Sequence, residues 1–503
     1  MRYGTSMQDA FRGISAKGFA ASVGLIVLGL IAFPIYQGFL TGGFLFYTTG
    51  TDEAPHLSFS YADYVASGSG RMRYSSYLVV LLHQLGLGGG SINLCFDIVC
   101  AILSLIFTKR ALVKFGYPLP IARCAALLVF ILPLLFTAFN PLVALLSSLH
   151  IDPAIMTWVS MPWNQETPFI RSPEPQMSWL IVSAVVSVTA GSRFLPWALL
   201  LISPLLYTFV QLPIIFVALT LFALKRVAMP TALITSFVIC SLLTVVYHAL
   251  VGESPLSRFF IVSHLPLLSF SGIVGFAVLL VTRTRLPKGT QTALTLLVAS
   301  LWAVDNTQLI SGYLVTPVNF ENYWGVAVLG CVTTLLIVQR ASHPGYWIGF
   351  SMALYALFCV TVFARNNAVF QRLERSHEVL PLLSKSSAQV ACDDLYLTTY
   401  LDLVHPMQPP TVFSWTRALN LSSDVPYENY LCSKEVIQNM GPPTSEEFAP
   451  LFHALDWGFQ SRGADIFMSI GRQPIPTFPR REGTTKTSCP DRELVVVRAR
   501  KGS

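Results

Sequence analysis

Long apolar stretches alternate with short polar connections through the first 364 residues, and after residue 365 that pattern stops. The apolar stretches fall at 18–40, 92–114, 120–147, 177–191, 195–209, 212–224, 229–250, 266–282, 290–310, 324–339 and 345–364. A helix of roughly 20 apolar residues is long enough to cross a bilayer. The pattern therefore predicts a polytopic α-helical membrane protein with about eleven transmembrane helices. The first stretch follows Arg12 and Lys17 and lacks a small-residue cleavage site, so it is expected to be a retained signal-anchor helix. Pro204 and Pro213 break the stretch 195–224 into two short halves, which are expected to form a hairpin.

Composition and charge sharpen this picture. The chain of 503 residues is 53% hydrophobic and only 12% charged, about half the charge of an ordinary soluble domain at roughly 25%. With the N-terminus inside, fourteen basic residues fall in inside segments, from Arg2 through Lys109, Arg110, Lys225, Arg226 and Arg283 to Arg340. Only Arg71, Arg73, Arg171 and Arg258 fall in outside loops. That asymmetry orients the chain, with a cytoplasmic N-terminus and an extracytoplasmic C-terminus. The expected location is an inner membrane of bacterial type. The net charge of +7 is spread over short loops, so it does not signal nucleic-acid binding.

Residues 366–503 are mixed polar, with 15 acidic and 14 basic side chains. Alternation at 394–401 and 493–499 predicts strands, and 446–459 reads as an amphipathic helix capped by Ser445. A small extracytoplasmic α/β or α+β domain is expected there, after a membrane domain spanning 1–365. The first outside loop, 41–91, carries closely spaced apolar residues at 62–67 and 74–87 that suggest helices lying at the interface. Of nine cysteines, Cys392, Cys432 and Cys489 lie in the C-terminal segment, where Cys392–Cys432 is the most plausible disulfide.

Four clusters carry candidate chemistry. Asp52 and Glu53 stand side by side in Thr-Asp-Glu-Ala-Pro-His (51–56), eleven residues beyond the end of the first apolar stretch. Acids at such a boundary cap a helix, bind a cation or move a proton, and the proton-accepting or cation-binding role is the expectation here. Arg171 sits among stiffening prolines in 167–179, and its forked guanidinium suits phosphate oxygens, whether of a substrate or of bilayer lipid. Asp305, Asn306 and Gln308 interrupt the outer end of an apolar stretch and are followed by Asn319, Phe320, Glu321 and Asn322. Such a row satisfies broken helix backbone or lines a wet cavity, and the cavity is the expectation. Arg258 and His264 mark a further outside loop, with Arg258 either a second phosphate contact or a membrane-facing anchor.

With these motifs the chain resembles the GT-C class of integral-membrane glycosyltransferases. Adjacent acids in the first outside loop, interfacial helices in that loop and an outside C-terminal domain carry the likeness. The Arg-x-Pro-x-Pro-Gln-x-Ser run (171–178) and Asn-x-Gln-x-x-x-Gly (306–312) add to it. The resemblance implies transfer of a sugar, with inversion, from a polyprenyl-phosphate-linked donor to a lipid, glycan or protein acceptor at the extracytoplasmic face. It makes Asp52 the general base and Glu53 its partner or a cation ligand. Arg171 would stabilise the departing lipid phosphate, and His56, Gln176, Arg258, His264, Asp305, Asn306 and Gln308 would shape the substrate pocket. The first loop has no Asp-x-Asp, so no metal ligand set is assigned, no cofactor is implied with certainty, and a divalent cation stays open. The rival readings are a transporter or flippase for a lipid-linked sugar and a non-catalytic membrane assembly factor. Against transport stands the scarcity of charge within the apolar stretches, where Asp97 alone lies well inside one.

Overall fold

The computed structural model describes residues 14–40, 81–82, 84–87, 89–139, 159–160, 176–192, 194–206, 213–214, 216–217, 220, 261–262, 266–282, 286–307, 309, 313–314, 320–340, 344–373, 389–392 and 494–497. These residues are mostly helical. In chain order the principal elements are α1 (Ala16–Leu40), α2 (Gly89–Lys114), α3 (Leu119–Phe139), β1 (Val159–Ser160), α4 (Gln176–Thr189) and α5 (Phe194–Leu206). After them come β2 (Ile261–Val262), β3 (Leu268–Ser269), α6 (Phe270–Thr282), α7 (Lys288–Asp305) and β4 (Tyr313–Leu314). A π-helical turn (Glu321–Gly325) then leads into α8 (Val326–Arg340), followed by α9 (Pro344–Leu373), β5 (Gln389–Cys392) and β6 (Leu494–Val497).

Contacts divide the chain into two units. The first comprises Met1–Phe33, Leu94–Gly252 and Phe260–Phe363, and the second Pro34–Asn93, Glu253–Phe259 and Ala364–Ser503. In the second unit the described strands β5 and β6 pair in parallel, with Gln389 opposite Leu494 and Cys392 opposite Val497. The stretch 494–497 lies within the segment 493–499 whose alternation predicts a strand; the alternating segment 394–401, the helix at 446–459 and Cys432 lie outside the described residues.

In the first unit α8 is the central helix, packing on α3, α4, α6 and α7. Its residues Val326, Ala327, Val328, Leu329, Cys331, Val332 and Leu335 are all buried, as expected of a helix that is apolar on every side. Where α8 crosses α3, Gly330 faces the ring of Pro133: a Cβ at 330 would lie 2.5 Å from Pro133 Cγ. Pro133 sits inside α3, where it donates no main-chain hydrogen bond. Its ring and the missing side chain at 330 let the two helices approach closely.

Two helices close on left-handed glycines. Gly116 (φ 96°) ends α2, with Tyr117 N–H reaching Leu112 O at 3.0 Å. Gly191 (φ 75°) ends α4, with Ser192 N–H reaching Ser187 O at 3.0 Å. Both are the pattern in which glycine adopts a backbone conformation costly for other residues. Lys114 Nζ then donates to Gly191 O and Ser192 Oγ, each at 3.2 Å, tying the two helix ends together. Small polar groups also link α2 to α4: Thr108 Oγ1 donates to Ser183 Oγ at 3.2 Å, and Cys100 Sγ approaches Met177 Sδ at 3.5 Å.

Large apolar side chains also stand on the outside of the helices. Leu25, Leu28, Phe194, Phe276, Leu280, Tyr346, Phe350 and Val360 are each more than half exposed. Among the described residues, which within α1 include side chains only through residue 32 and at Ile35, no helix is long and apolar enough to cross a membrane.

Candidate functional site

The polar centre of the described bundle forms where α6, α7 and the π-helical turn meet. It begins with Ser269, the last residue of β3. Ser269 Oγ accepts the N–H of Gly272 at 2.9 Å and so caps the start of α6. The same hydroxyl donates to Glu321 Oε1 at 2.6 Å. Capping α6 and gripping a carboxylate are thus one interaction chain, from main-chain N–H through hydroxyl to Glu321. The N–H of Ser271 approaches Glu321 Oε2 at 3.4 Å, adding a weaker contact.

Glu321 is fully buried, at 0% exposure, in the first position of the π-helical turn. Gly325 completes the turn, and a Cβ there would lie 2.5 Å from Glu321 Oε2 and 2.9 Å from Ser271 Oγ. The glycine is therefore a steric requirement of the carboxylate's position. π-Helical turns of this kind recur at functional sites, because the widened backbone re-aims side chains. Burial pushes the Glu321 carboxyl up from its ordinary 4.5 to about 7, although hydrogen bonds from Ser269, from Ser271 and from the main chain at 271 and 270 pull the other way. Glu321 lies between the apolar stretches 290–310 and 324–339.

Beside Glu321 stands Asp305, the last residue of α7, with Glu321 and Ser269 as its polar neighbours. It is 1% exposed, and neither carboxylate oxygen meets a donor at hydrogen-bonding geometry. Asn306 follows as the C-cap and has a different task. Its Oδ1 accepts Leu267 N–H at 2.8 Å, and its Nδ2 donates to Leu267 O at 3.0 Å and Trp302 O at 2.9 Å. The amide thereby satisfies a helix-end carbonyl and clamps the residue that leads into β3. Trp302 packs against Gly272, whose lack of a side chain leaves room for the indole. Trp324, buried within the turn, donates its indole N–H to Ser300 Oγ at 3.0 Å.

Within the sequence row at 305–308, Asn306 serves broken helix backbone, and Asp305 is buried among the described residues. Asp305 is brought together with Glu321, which the sequence row included without singling out, and with Ser269 and Ser271, which it missed. A small hydroxyl beside an apolar helix start gives no distinctive sequence signal. An acid placed just before an apolar run does give one. Gln176 opens α4, but its side chain lies outside the described residues. Asp52, Glu53, His56, Arg171, Arg258, His264 and Gln308 also lie outside them.

A second polar spot lies between α2, α3, α4 and α8, where a small cavity is lined by Ser104, Thr108, Phe130, Trp179, Ser183 and Ala327. Ser104 Oγ and Trp179 Nε1 are buried there without hydrogen-bond partners. Phe130 meets Trp179 edge-on, with ring centroids 5.2 Å apart. Among the described residues, no group of three or more His, Cys, Asp or Glu side chains is placed to hold a metal ion.

Comparison with known protein families, characterised proteins and solved structures finds no match to this chain.

Proposed function

We propose that the chain is a multi-span membrane glycosyltransferase of GT-C type, using a polyprenyl-phosphate-linked sugar at the extracytoplasmic face. The observation that carries this reading is the Asp52–Glu53 pair in the loop that follows the first apolar stretch, in a chain otherwise poor in charge. The membrane placement rests on sequence first. Residues 18–40 hold no charged side chain, and the 25-residue helix α1 covers them. At ~1.5 Å per residue such a helix reaches roughly 37 Å, against a hydrocarbon core of ~30 Å. The apolar side chains exposed on α1, α5, α6 and α9 support the same placement, since a surface of this kind is costly in water and neutral in lipid. Tyr346 and Trp347, exposed near the start of α9, suit an aromatic belt at the interface.

In this mechanism Asp52 takes the proton from an acceptor hydroxyl as that oxygen attacks the anomeric carbon. The bond from that carbon to the lipid phosphate breaks, and Arg171 stabilises the growing negative charge on the leaving phosphate. Glu53 orients Asp52 or holds a cation. The test is transfer from a radiolabelled polyprenyl-phosphate sugar by purified protein. Arg171→Ala should lose most activity while expressing normally; full activity would remove the phosphate contact from the mechanism.

One observation favours the transport reading. Asp97, Asp305 and Glu321 are all buried within the first unit, so buried acids are more numerous than the sequence suggested. Buried acids in membrane bundles often mark proton or ion pathways. Counterflow of a lipid-linked sugar in proteoliposomes, without chemical transfer, is the outcome that would select this alternative.

A further inference from the structure

Asp305 and Glu321 carry two carboxylates into one packed interior, 1% and 0% exposed. Two unscreened negative charges cannot share such a place, because desolvation and mutual repulsion both oppose the second ionisation. Cations that could offset them are distant on every element packed against the pair. On α7 the one basic residue, Lys288, is seventeen positions from Asp305, roughly 26 Å at ~1.5 Å per residue. On α8 the one basic residue, Arg340, is nineteen positions from Glu321, roughly 28 Å on the same scale. Neither α4, α6, β1 nor β3 carries a charged side chain. Cys331 on α8 is ten residues along from Glu321, about 15 Å away, and the side chain of Tyr323 lies outside the described residues.

The two acids also differ in their hydrogen bonds. Glu321 accepts the Ser269 hydroxyl and approaches the Ser271 N–H, which suits a carboxylate. Asp305 meets no donor at good hydrogen-bonding geometry and has Glu321 and Ser269 as its polar neighbours, which leaves room for an acid O–H directed at Glu321. Ser271 Oγ is 0% exposed, and beyond its contact with Glu321 it meets no hydrogen-bond partner. It and Glu321 Oε2 converge on the notch above Gly325, within 2.9 Å and 2.5 Å of the point a Cβ would occupy. A buried hydroxyl whose polar neighbour is that carboxylate is a link through which a proton can pass.

We propose that Asp305 and Glu321 form a proton-binding dyad that holds one proton between them, with Ser271 as the hydroxyl through which that proton exchanges. Uptake converts two carboxylates into one carboxylic acid and one carboxylate and changes the local charge from −2 to −1. The Asp305 acid O–H is donated to Glu321; on release the pair gives its proton to the Ser271 hydroxyl oxygen, which passes its own proton to water, leaving two carboxylates. This inference rests on neither reading of the protein's function.

The experiment is an infrared titration of the full chain in detergent micelles, following the C=O band of protonated carboxyl groups. The wild-type protein should show a buried acid band at neutral pH, and Asp305→Asn should lose it. Ser271→Ala, a milder change, should keep the band but slow its exchange with deuterium several-fold. Absence of the band from wild type at neutral pH would overturn the proposal without any variant. Survival of the band in Asp305→Asn, unchanged exchange in Ser271→Ala, or loss of wild-type band intensity on adding sodium at fixed pH would each do the same. The last result would identify a cation site instead.

Discussion

Glu321 is the residue on which the described site turns, because three separate features converge on its carboxylate. Ser269 supplies a hydrogen bond at 2.6 Å, Gly325 supplies room, and Asp305 supplies a second acid. Gly325→Ala would push a methyl against Glu321 Oε2 and Ser271 Oγ. Overpacking of this kind usually costs about 1–3 kcal/mol, so thermal unfolding in detergent should show a clearly lowered midpoint. An unchanged midpoint would mean the turn relaxes freely. The raised pKa of Glu321, which belongs to the Asp305–Glu321 pair and its one shared proton, sets a second expectation. A carboxyl whose folded value lies above its unfolded value contributes stability fully present below the unfolded value, and that contribution is lost as pH rises through the folded one. For Glu321 the window runs from about 4.5 to about 7. Wild-type stability should therefore carry a component that declines across that window, and Glu321→Gln should remove it. An identical pH profile in the variant would assign the decline to other groups.

Among elements, the contact of α3 with α8 is the most specific, since it depends on a proline ring facing a glycine. Gly330→Ala should destabilise by about 1–3 kcal/mol, as overpacking against an unyielding neighbour does. Pro133→Ala deletes the ring atoms that the new methyl would strike, so the double variant should recover part of that loss. Strict additivity in the double-mutant cycle would contradict the packing described here. The same elements show what the sequence made legible. Apolar stretches such as 92–114, 177–191 and 290–310 were readable because a helix needs only a continuous run, and helices α2, α4 and α7 cover nearly those residues. The Asp305–Asn306 interruption was readable as polar atoms in an apolar setting. Its partners were not, because Ser269 and Glu321 approach Asp305 only through the crossing of α6, α7 and the π-helical turn. Long-range pairing of this kind leaves no local periodicity. The short strands β1 to β4 are two residues each, too brief for an alternating pattern to form.

For the whole molecule, orientation and chemistry are linked. On the topology we propose from the excess of basic residues in alternate connections, the C-terminal region and the Asp52 loop share an outer face. A single cysteine introduced at Ser384 should react with a membrane-impermeant maleimide added outside intact cells; labelling only after permeabilisation would invert the assignment. In the mechanism proposed above, transfer depends on one acid at that face. Asp52→Asn keeps the size of the side chain and removes its basicity, so it isolates proton abstraction from packing. The direct measurement is the rate of sugar transfer from a polyprenyl-phosphate donor by purified wild-type and Asp52→Asn protein. The account predicts that wild type transfers sugar and that the variant, equally expressed and folded, loses at least about a hundredfold in rate. Undiminished transfer by Asp52→Asn would contradict it.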